Sequence, residues 1–231
     1  MSDETKMPPE EQPTAEPAEP PIAKASIPAP KKRYRSPLLR FVLITFAWLP
    51  LMFAIWYFAA PILVFPAKLL AQGFTQLAFG DLVKQVLMES HTLVFITSLR
   101  PGESMPSNAV VSVEVNALLY SFGLPMLAAL VLAAREKGGW KKLLIGYLVI
   151  LPFITWGVTA DFLKNINFSD PFIAAQAGFS QMQREVIAFA YQFGTLILPT
   201  VIPAIAWVLT HRRFLERLRG KMDEFEQGKS R

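Results

Sequence analysis

Residues 41–64 read FVLITFAWLPLMFAIWYFAAPILV, and this stretch decides the class of fold. It carries no charged residue, and it is long enough to cross a hydrocarbon core about 30 Å thick. Three further apolar stretches follow it, at about residues 117–134, 143–163 and 186–210. Apolar blocks of this length are typical of membrane spans rather than of a soluble core. We therefore predict a mainly α, polytopic membrane protein with four transmembrane helices.

Two prolines and two aromatic residues in the first span predict its shape and its position in the membrane. Pro50 and Pro61 predict a kink or an early end of the helix, because proline lacks the backbone donor that a helix needs. Trp56 and Tyr57 are expected near the far interface, which amphipathic aromatic rings favour. Beyond this span, residues 67–82 have the pattern of a separate short interfacial helix. Its apolar members are Leu69, Leu70, Phe74, Leu77 and Leu82.

Between the first and second spans the pattern changes to that of extended chain. Residues 83–115 are rich in β-branched residues, and the stretch RPGES at 100–104 has turn chemistry. We predict one or two strands within 83–99 and another within 109–115. A β insertion this small is marginal alone, so it should rest on the membrane helices or on a partner.

The two ends of the chain are polar. Residues 1–37 hold nine of the 19 prolines and almost nothing apolar. We expect a disordered cytoplasmic tail there, because such a segment cannot bury enough surface to offset the entropy lost on ordering. The membrane domain then comprises residues 38–215. Residues 216–231 form a second cytoplasmic tail, which is basic.

Basic residues flank the apolar blocks unequally. One side would carry Lys31, Lys32, Arg33, Arg35, Arg40, Arg135, Lys137, Lys141, Lys142, Arg212, Arg213, Arg217, Arg219 and Lys221. The other side would carry only Lys68, Lys84, Arg100, Lys164 and Arg184. The positive-inside rule places the richer side, with both termini, in the cytoplasm of a bacterial inner membrane. The β insertion is then periplasmic. The net charge of +5 does not indicate nucleic-acid binding, because basic and aromatic residues are not interleaved.

Polar side chains from three predicted helices meet at the outer membrane level. They are Glu114, Asn116, Asp161, Lys164, Gln183, Arg184, Glu185, Tyr191 and Gln192. Asp161 and Lys164 are three residues apart, so they share a helix face and can pair. Tyr191 and Gln192 lie deeper, where they should need hydrogen-bond partners from other helices. The cluster could be a functional surface, a clamp that fixes helix packing, or the ordinary charges of helices leaving the bilayer.

The sequence contains little evidence for a catalytic site or a metal site. The chain has no cysteine, which excludes thiolate metal sites and cysteine nucleophiles. The two histidines, His91 and His211, are predicted on opposite sides of the membrane, so they cannot build a His-based triad or metal site. Asp161 could form a carboxylate pair with Glu114, although nothing in their spacing requires it. We predict no catalytic residue, no metal and no cofactor.

Several stretches in this order resemble one family. They are WLPLMFAIWYFAAP (48–61), VEVNALLYSFGLPML (113–127), LPFITWGVTADFLK (151–164) and QREVIAFAYQFGTLILPTVIPAIAW (183–207), followed by HRRFL (211–215). Over about residues 36–215 the chain is similar to the exosortase-H-associated membrane protein family. The resemblance draws attention to Asn116, Tyr120, Trp156, Asp161, Lys164, Glu185, Tyr191 and Gln192 as motif positions. The candidate polar cluster contains all of these residues except Trp156, together with two further residues. Its members are Glu114, Asn116, Tyr120, Asp161, Lys164, Arg184, Glu185, Tyr191 and Gln192.

The resemblance implies an accessory role beside an exosortase. Exosortases are multi-pass, transpeptidase-like enzymes of Gram-negative bacteria, and they process proteins that carry a C-terminal sorting signal. That signal has a short motif, a transmembrane helix and a basic end. The catalytic set of an exosortase is a Cys with Arg and His. Because this chain has no Cys, it resembles the accessory and not the enzyme. The partners implied are the lipid bilayer, the multi-pass enzyme and the substrates that bear the signal.

Two hypotheses from other classes stay open. The first is a small transporter or lipid-binding protein, in which the outer polar cluster binds a head group or a solute. Prolines in every span fit moving helices, and they fit static kinks equally well. The second is a membrane hydrolase that depends on Glu114 or Asp161.

Overall fold

The computed structural model describes residues 36–102 and 109–229. The helices are α1 Pro37–Phe79, α2 Leu118–Ser121, α3 Gly123–Ala134, α4 Gly139–Asn167, α5 Pro171–Ala177, α6 Gln181–Gln192, α7 Leu198–Thr210 and α8 Arg212–Lys229. The strands are β1 Val83–Glu89, β2 Thr92–Thr97 and β3 Ser112–Asn116. The prediction of a mainly α chain with a small β element is confirmed. Residues 1–35, which make up most of the tail predicted to be disordered, lie outside the described residues, as do residues 103–108 and 230–231.

Three helical segments are long and apolar enough to cross a membrane. They are Pro37–Leu82, Gly139–Asn167 and Gln181–Thr210. A fourth apolar segment, Leu118–Ala134, is shorter. It consists of α2 and α3, which are separated at Phe122. Length and composition therefore support three of the four predicted spans, and the span at 117–134 stays a prediction.

Helix α1 runs without interruption through Pro50, Pro61 and Pro66. The early end predicted at Pro50 or Pro61 is wrong, and so is the separate helix predicted at 67–82. Pro61 cannot donate to the carbonyl of Tyr57, four residues earlier. His91 Nε2, from the β1–β2 turn, takes the place of that donor at 2.9 Å. A tertiary contact thus fills the gap that the proline leaves in the helix.

The second half of α1 buries a stripe of mostly small residues against the sheet. Buried residues recur every three or four positions: Ala60, Val64, Ala67, Ala71 and Thr75. Their small size lets the strands approach the helix closely. Gln72 Oε1 also accepts a hydrogen bond from the backbone of Val86 at 3.3 Å. The larger apolar residues point away, and Leu77 is 89% exposed.

The three strands form one antiparallel sheet in the order β1-β2-β3. The two strands predicted within 83–99 are β1 and β2, joined by a tight turn at Ser90 and His91. Ser90 adopts a left-handed conformation with φ of 56°. Phe95 of β2 is buried and stacks on Phe162 of α4, with ring centroids 4.3 Å apart. The sheet therefore rests on the helices, as its small size predicts.

Helices α2, α3, α4 and α7 pack closely where one of them offers a glycine. A Cβ on Gly157 of α4 would lie 2.2 Å from the ring of Tyr120. A Cβ on Gly123 would lie 2.4 Å from Pro203 and 2.5 Å from the carbonyl oxygen of Pro199. Small residues permit this kind of close approach between membrane helices. Both contacts fix the start of the α2–α3 segment against its neighbours.

Residues 164–184, between the third and fourth predicted spans, are mostly helical. Helix α4 continues to Asn167, and the short helix α5 follows. Asp170 caps α5 by accepting a hydrogen bond from the backbone of Phe172 at 2.8 Å. Pro171 stands at the first position of α5, where a missing backbone donor has no cost. The stretch NFSDPF thus starts a helix.

Candidate functional site

The candidate site lies where the ends of α2, α4 and α6 meet. Its central group is Asp161 of α4, which is buried. Lys164 Nζ lies 3.3 Å from Asp161 Oδ1, so the ion pair expected from their spacing is confirmed. Asn165, one turn along the helix, donates its Nδ2 to the same oxygen at 3.3 Å. The carboxylate is thus held by its own helix.

Lys164 connects this ion pair to α6. Its ammonium group lies over the ring of Tyr191, 4.5 Å from the centroid. It also donates to Asn165 Oδ1 at 2.8 Å. A cation over an aromatic face is attracted by the ring quadrupole, and the attraction increases where water is excluded. Lys164 therefore bridges α4 and α6.

Tyr120 of α2 adds a buried hydroxyl to the site. Its ring packs on Gly157, and its hydroxyl is buried. The polar groups that act on this hydroxyl are those of Thr195, Asp161 and Tyr191. Three separate stretches of chain therefore turn polar groups towards one interior position.

Further buried polar atoms occur on α4. The hydroxyl of Thr159 and both amide atoms of Asn167 have no hydrogen-bond partner within the described part of the chain. Buried polar side chains therefore occur on α4 both before and after Asp161 in the sequence.

A π-helical turn, Phe193–Ile197, interrupts the helix that carries Tyr191. Pro199 follows it and has no backbone donor for the carbonyl of Thr195, which favours irregular helix geometry here. Gly194, inside the turn, packs on Trp156 and Gly157 of α4. Turns of this kind occur frequently at functional sites. The turn places Thr195 against the site.

The two predicted site residues on β3 lie apart from this centre. Glu114 is exposed and is aligned with Val94 on the neighbouring strand. Within the described ranges its carboxylate forms no ion pair or hydrogen bond. Asn116 accepts a hydrogen bond from the backbone of Leu118 at 3.0 Å, so its role is at the start of α2. The pairing of Glu114 with Asp161 considered from the sequence does not occur.

The predicted residues on α6 also point elsewhere, except for Tyr191. Arg184 donates its Nε to the carbonyl of Phe179 at 3.3 Å. Glu185 accepts from Gln181 at 2.9 Å. Gln192 is exposed, and its side chain forms no hydrogen bond within 36–102 and 109–229. The inter-helix hydrogen bonds expected for Tyr191 and Gln192 are therefore absent from these ranges, and Tyr191 has the Lys164 contact instead.

An apolar cavity of about 300 Å³ lies beside the site, between α4, α6 and the end of α1. Its walls include Phe74, Trp156, Phe179 and Met182. Trp156 also donates its indole N–H to the carbonyl of Ala190 at 3.2 Å, which ties α4 to α6. The cavity is open enough for an apolar side chain or part of an acyl chain.

Sequence reasoning missed Asn165, Thr159, Asn167 and Thr195. The spacing of four residues between Asp161 and Asn165 is a usable signal, because such pairs meet on a helix face. Thr195 had no such signal, since the π-helical turn changes the direction in which it points. Among the described residues, no group of three or more His, Asp or Glu side chains could hold a metal ion. The arrangement can hold a charge and donate hydrogen bonds.

One family matches the chain in the comparison with known families. It is described as exosortase H-associated membrane protein, and it matches residues 35–214. This range contains every helix and strand from α1 to α7, together with all residues of the site. No curated protein and no solved structure matches the chain.

Proposed function

Because the chain belongs to the exosortase H-associated membrane protein family, we propose that it is a non-catalytic accessory protein of an exosortase. The family name indicates association with exosortase H in a membrane. In our proposal the partner is the multi-pass enzyme of the bacterial inner membrane that processes exported proteins with a C-terminal sorting signal. The family match over residues 35–214 is the observation that carries the proposal.

The topology that we propose has four spans, with both termini in the cytoplasm. Segment Leu118–Ala134 would be about 26 Å long at about 1.5 Å per residue, close to the thickness of a hydrocarbon core. Four spans put Arg135 and Lys137 on the same side as α8, in agreement with the positive-inside rule. The sheet and the Asp161 site then face the periplasm.

The surface that we propose for the partner is the outward face of α1. Leu77 is 89% exposed and Leu69 is 53% exposed, and both lie beyond the proposed span at 41–64. At about 1.5 Å per residue α1 is about 64 Å long, roughly twice the thickness of a hydrocarbon core. Part of this apolar face would therefore extend beyond the lipid and needs another cover. A transmembrane helix of the exosortase, continued above the membrane, would supply it.

Co-purification of the exosortase with the tagged chain from detergent extracts tests this proposal. We expect retention of the enzyme by the native chain, and much weaker retention by the double variant Leu69→Ala/Leu77→Ala. The matched control is Leu148→Ala/Val149→Ala, which truncates two exposed apolar residues of α4 and should leave retention unchanged. No association with the native chain, together with normal substrate processing in a deletion strain, would overturn the accessory role.

The buried polar groups around Asp161 favour a second candidate, a transporter or lipid-binding protein with a polar site at the outer interface. The buried hydroxyl of Tyr120, which lies near Thr195 and Asp161, is the specific observation behind it. Asp161→Asn separates the two functions. A transporter should lose solute uptake at normal protein levels, whereas an accessory protein should lose only stability or retention of its partner. A membrane hydrolase, in contrast, should lose activity in purified form when Glu114 or Asp161 is neutralised.

A further inference from the structure

A second polar region lies at the opposite end of α4 from Asp161. Here the α3–α4 turn and the first turns of α8 line a concave groove with a volume of about 970 Å³. Its basic residues are Arg135, Lys137, Lys142, Arg212, Arg213 and Arg217. Glu136 and Glu216 are its acidic residues. Two stretches far apart in the sequence therefore build one basic concavity.

Glu136 fastens the two stretches to each other. Its carboxylate, only 8% exposed, accepts hydrogen bonds from both Lys142 and Arg217. Burial alone would raise the pKa of Glu136, but the Lys142 hydrogen bond and the charges of Lys142 and Arg217 hold it below its usual value. The carboxylate is therefore charged at neutral pH and keeps the groove in shape.

The remaining cations of the groove are not neutralised. Arg135, Lys137, Arg212 and Arg213 form no ion pair within the part of the chain that the structure describes. The long-range charge of Glu216 offsets only part of theirs. Cations held close together raise one another's energy, and an anion placed between them lowers it. The groove thus has the electrostatics of an anion site.

An aromatic stack lies directly before the groove residues of α8. His211, between α7 and α8, is fully buried and stacks on Trp207 with ring centroids 5.4 Å apart. Phe41 stacks on the same indole at 5.4 Å. Burial first, and then the charge of Lys142, lower the pKa of His211, so the ring is neutral and adds no repulsion. Arg212 and Arg213 follow this aromatic stack directly, which limits how far they can move away.

We propose that this groove binds a phosphate-bearing anion, such as the head group of an anionic membrane lipid. Arginine pairs with phosphate through two parallel hydrogen bonds, and basic pockets between helices at the cytoplasmic side suit anionic head groups. Exposed apolar side chains lie next to the groove, namely Leu132 of α3 and Leu209 of α7. A lipid could therefore place its phosphate among the arginines and an acyl chain along these leucines.

The positive-inside rule explains why basic residues occur at this end of the bundle, but it requires no particular arrangement. Charges that serve only topology can lie anywhere along a solvated helix, as Arg219 and Lys221 do. The six basic groove residues instead surround one concavity that a buried carboxylate holds together. This difference provides a matched comparison on a single helix, α8.

The experiment is a binding titration of the purified full chain in a zwitterionic detergent. The probes are a short-chain phosphatidylglycerol, a phosphatidylcholine with the same chains, and glycerol phosphate. We expect saturable binding of phosphatidylglycerol and at least about tenfold weaker binding of phosphatidylcholine. For Arg212→Gln/Arg213→Gln we expect a loss of about 30-fold, from the usual contribution of each basic residue. The control Arg219→Gln/Lys221→Gln should stay within about twofold.

Glycerol phosphate identifies the source of the anion. Much weaker binding than phosphatidylglycerol supports a lipid, and equally tight binding supports a soluble phosphate in the same groove. Absence of saturable binding by both anionic probes, or an equal loss in the control pair, would overturn the site. If Arg212→Gln/Arg213→Gln does not fold, as judged by size-exclusion chromatography, the exposed pair Arg135→Gln/Lys137→Gln replaces it with the same expected loss.

Discussion

His91 donates to a backbone carbonyl that Pro61 leaves without a partner inside α1. The ring nitrogen Nε2 must be the donor, because a carbonyl oxygen can only accept. Ser90 bonds the other ring nitrogen at 2.8 Å, which agrees with Nδ1 as an acceptor. The ring also stacks on Tyr57 with centroids 4.6 Å apart. His91, which sequence reasoning considered only as a metal ligand or catalytic base, therefore helps to attach the hairpin to α1.

A double-mutant cycle tests this role of His91. His91→Ala should lower the free energy of unfolding by about 0.5–1.5 kcal/mol, because it removes the hydrogen bond to the Tyr57 carbonyl. Pro61→Ala restores the donor of the helix itself, so His91→Ala should cost clearly less in that background. Thermal unfolding in detergent measures all four proteins. An equal cost of His91→Ala in both backgrounds would contradict the interpretation.

The Asp161–Lys164 pair could be predicted from the sequence, because a spacing of three residues on a helix fixes the geometry. The contact of Lys164 with Tyr191 could not be predicted in the same way. It depends on how α4 and α6 are oriented about their own axes. That orientation is set by packing between helices, including the contact of Gly194 with Trp156. It cannot be predicted from a single sequence.

At the scale of elements, α1 shows why hydrophobicity alone gave the wrong helix boundaries. The residues that hold its second half to the sheet are small, such as Ala67 and Ala71, and both are fully buried. The residues that look like an apolar face, such as Leu69 and Leu77, are exposed. In a lipid or partner environment large side chains can face outward, so the largest residues do not mark the packed side.

Gly157 of α4 offers a test of how the helices are packed. Gly157→Ala places a methyl group 2.2 Å from the ring of Tyr120, so that the ring must move. We expect a loss of about 1–3 kcal/mol in the free energy of unfolding, the usual cost of overpacking. The matched control is Gly73→Ala in α1, where a Cβ meets nothing within 4 Å. Because alanine favours helix by up to about 1 kcal/mol, this control should be neutral or slightly stabilising.

Thermal unfolding in detergent measures both glycine variants against the native chain. A loss of stability in Gly73→Ala as large as that in Gly157→Ala would show that the Tyr120 contact is not responsible. The double variant Gly157→Ala/Tyr120→Leu adds a further check, since removing the aromatic ring should recover part of the loss. Additive costs in the double variant would contradict a direct contact between these two positions.

At the scale of the whole molecule, the sequence predicted the helical class, the small sheet and the family. Blocks of apolar residues and the alternation of strands are visible in any single chain. The number of spans depends on Leu118–Ala134, which lies near the lower limit of length for crossing a bilayer. The sequence shows which residues are basic, but it does not show that Arg135 and Arg213 line one groove. That convergence depends on the tertiary fold.

The four-span topology can be tested directly because the chain has no cysteine, so that any cysteine introduced is the only thiol. The exposed positions Ser98, Lys141, Ala175 and Gly220 report on successive connections. With four spans, an impermeant maleimide added to intact cells should label Ser98→Cys and Ala175→Cys. It should label Lys141→Cys and Gly220→Cys only after the cells are permeabilised. If Leu118–Ala134 does not cross, the side of the last three positions is reversed while Ser98 is unchanged, so a single labelling series distinguishes four spans from three.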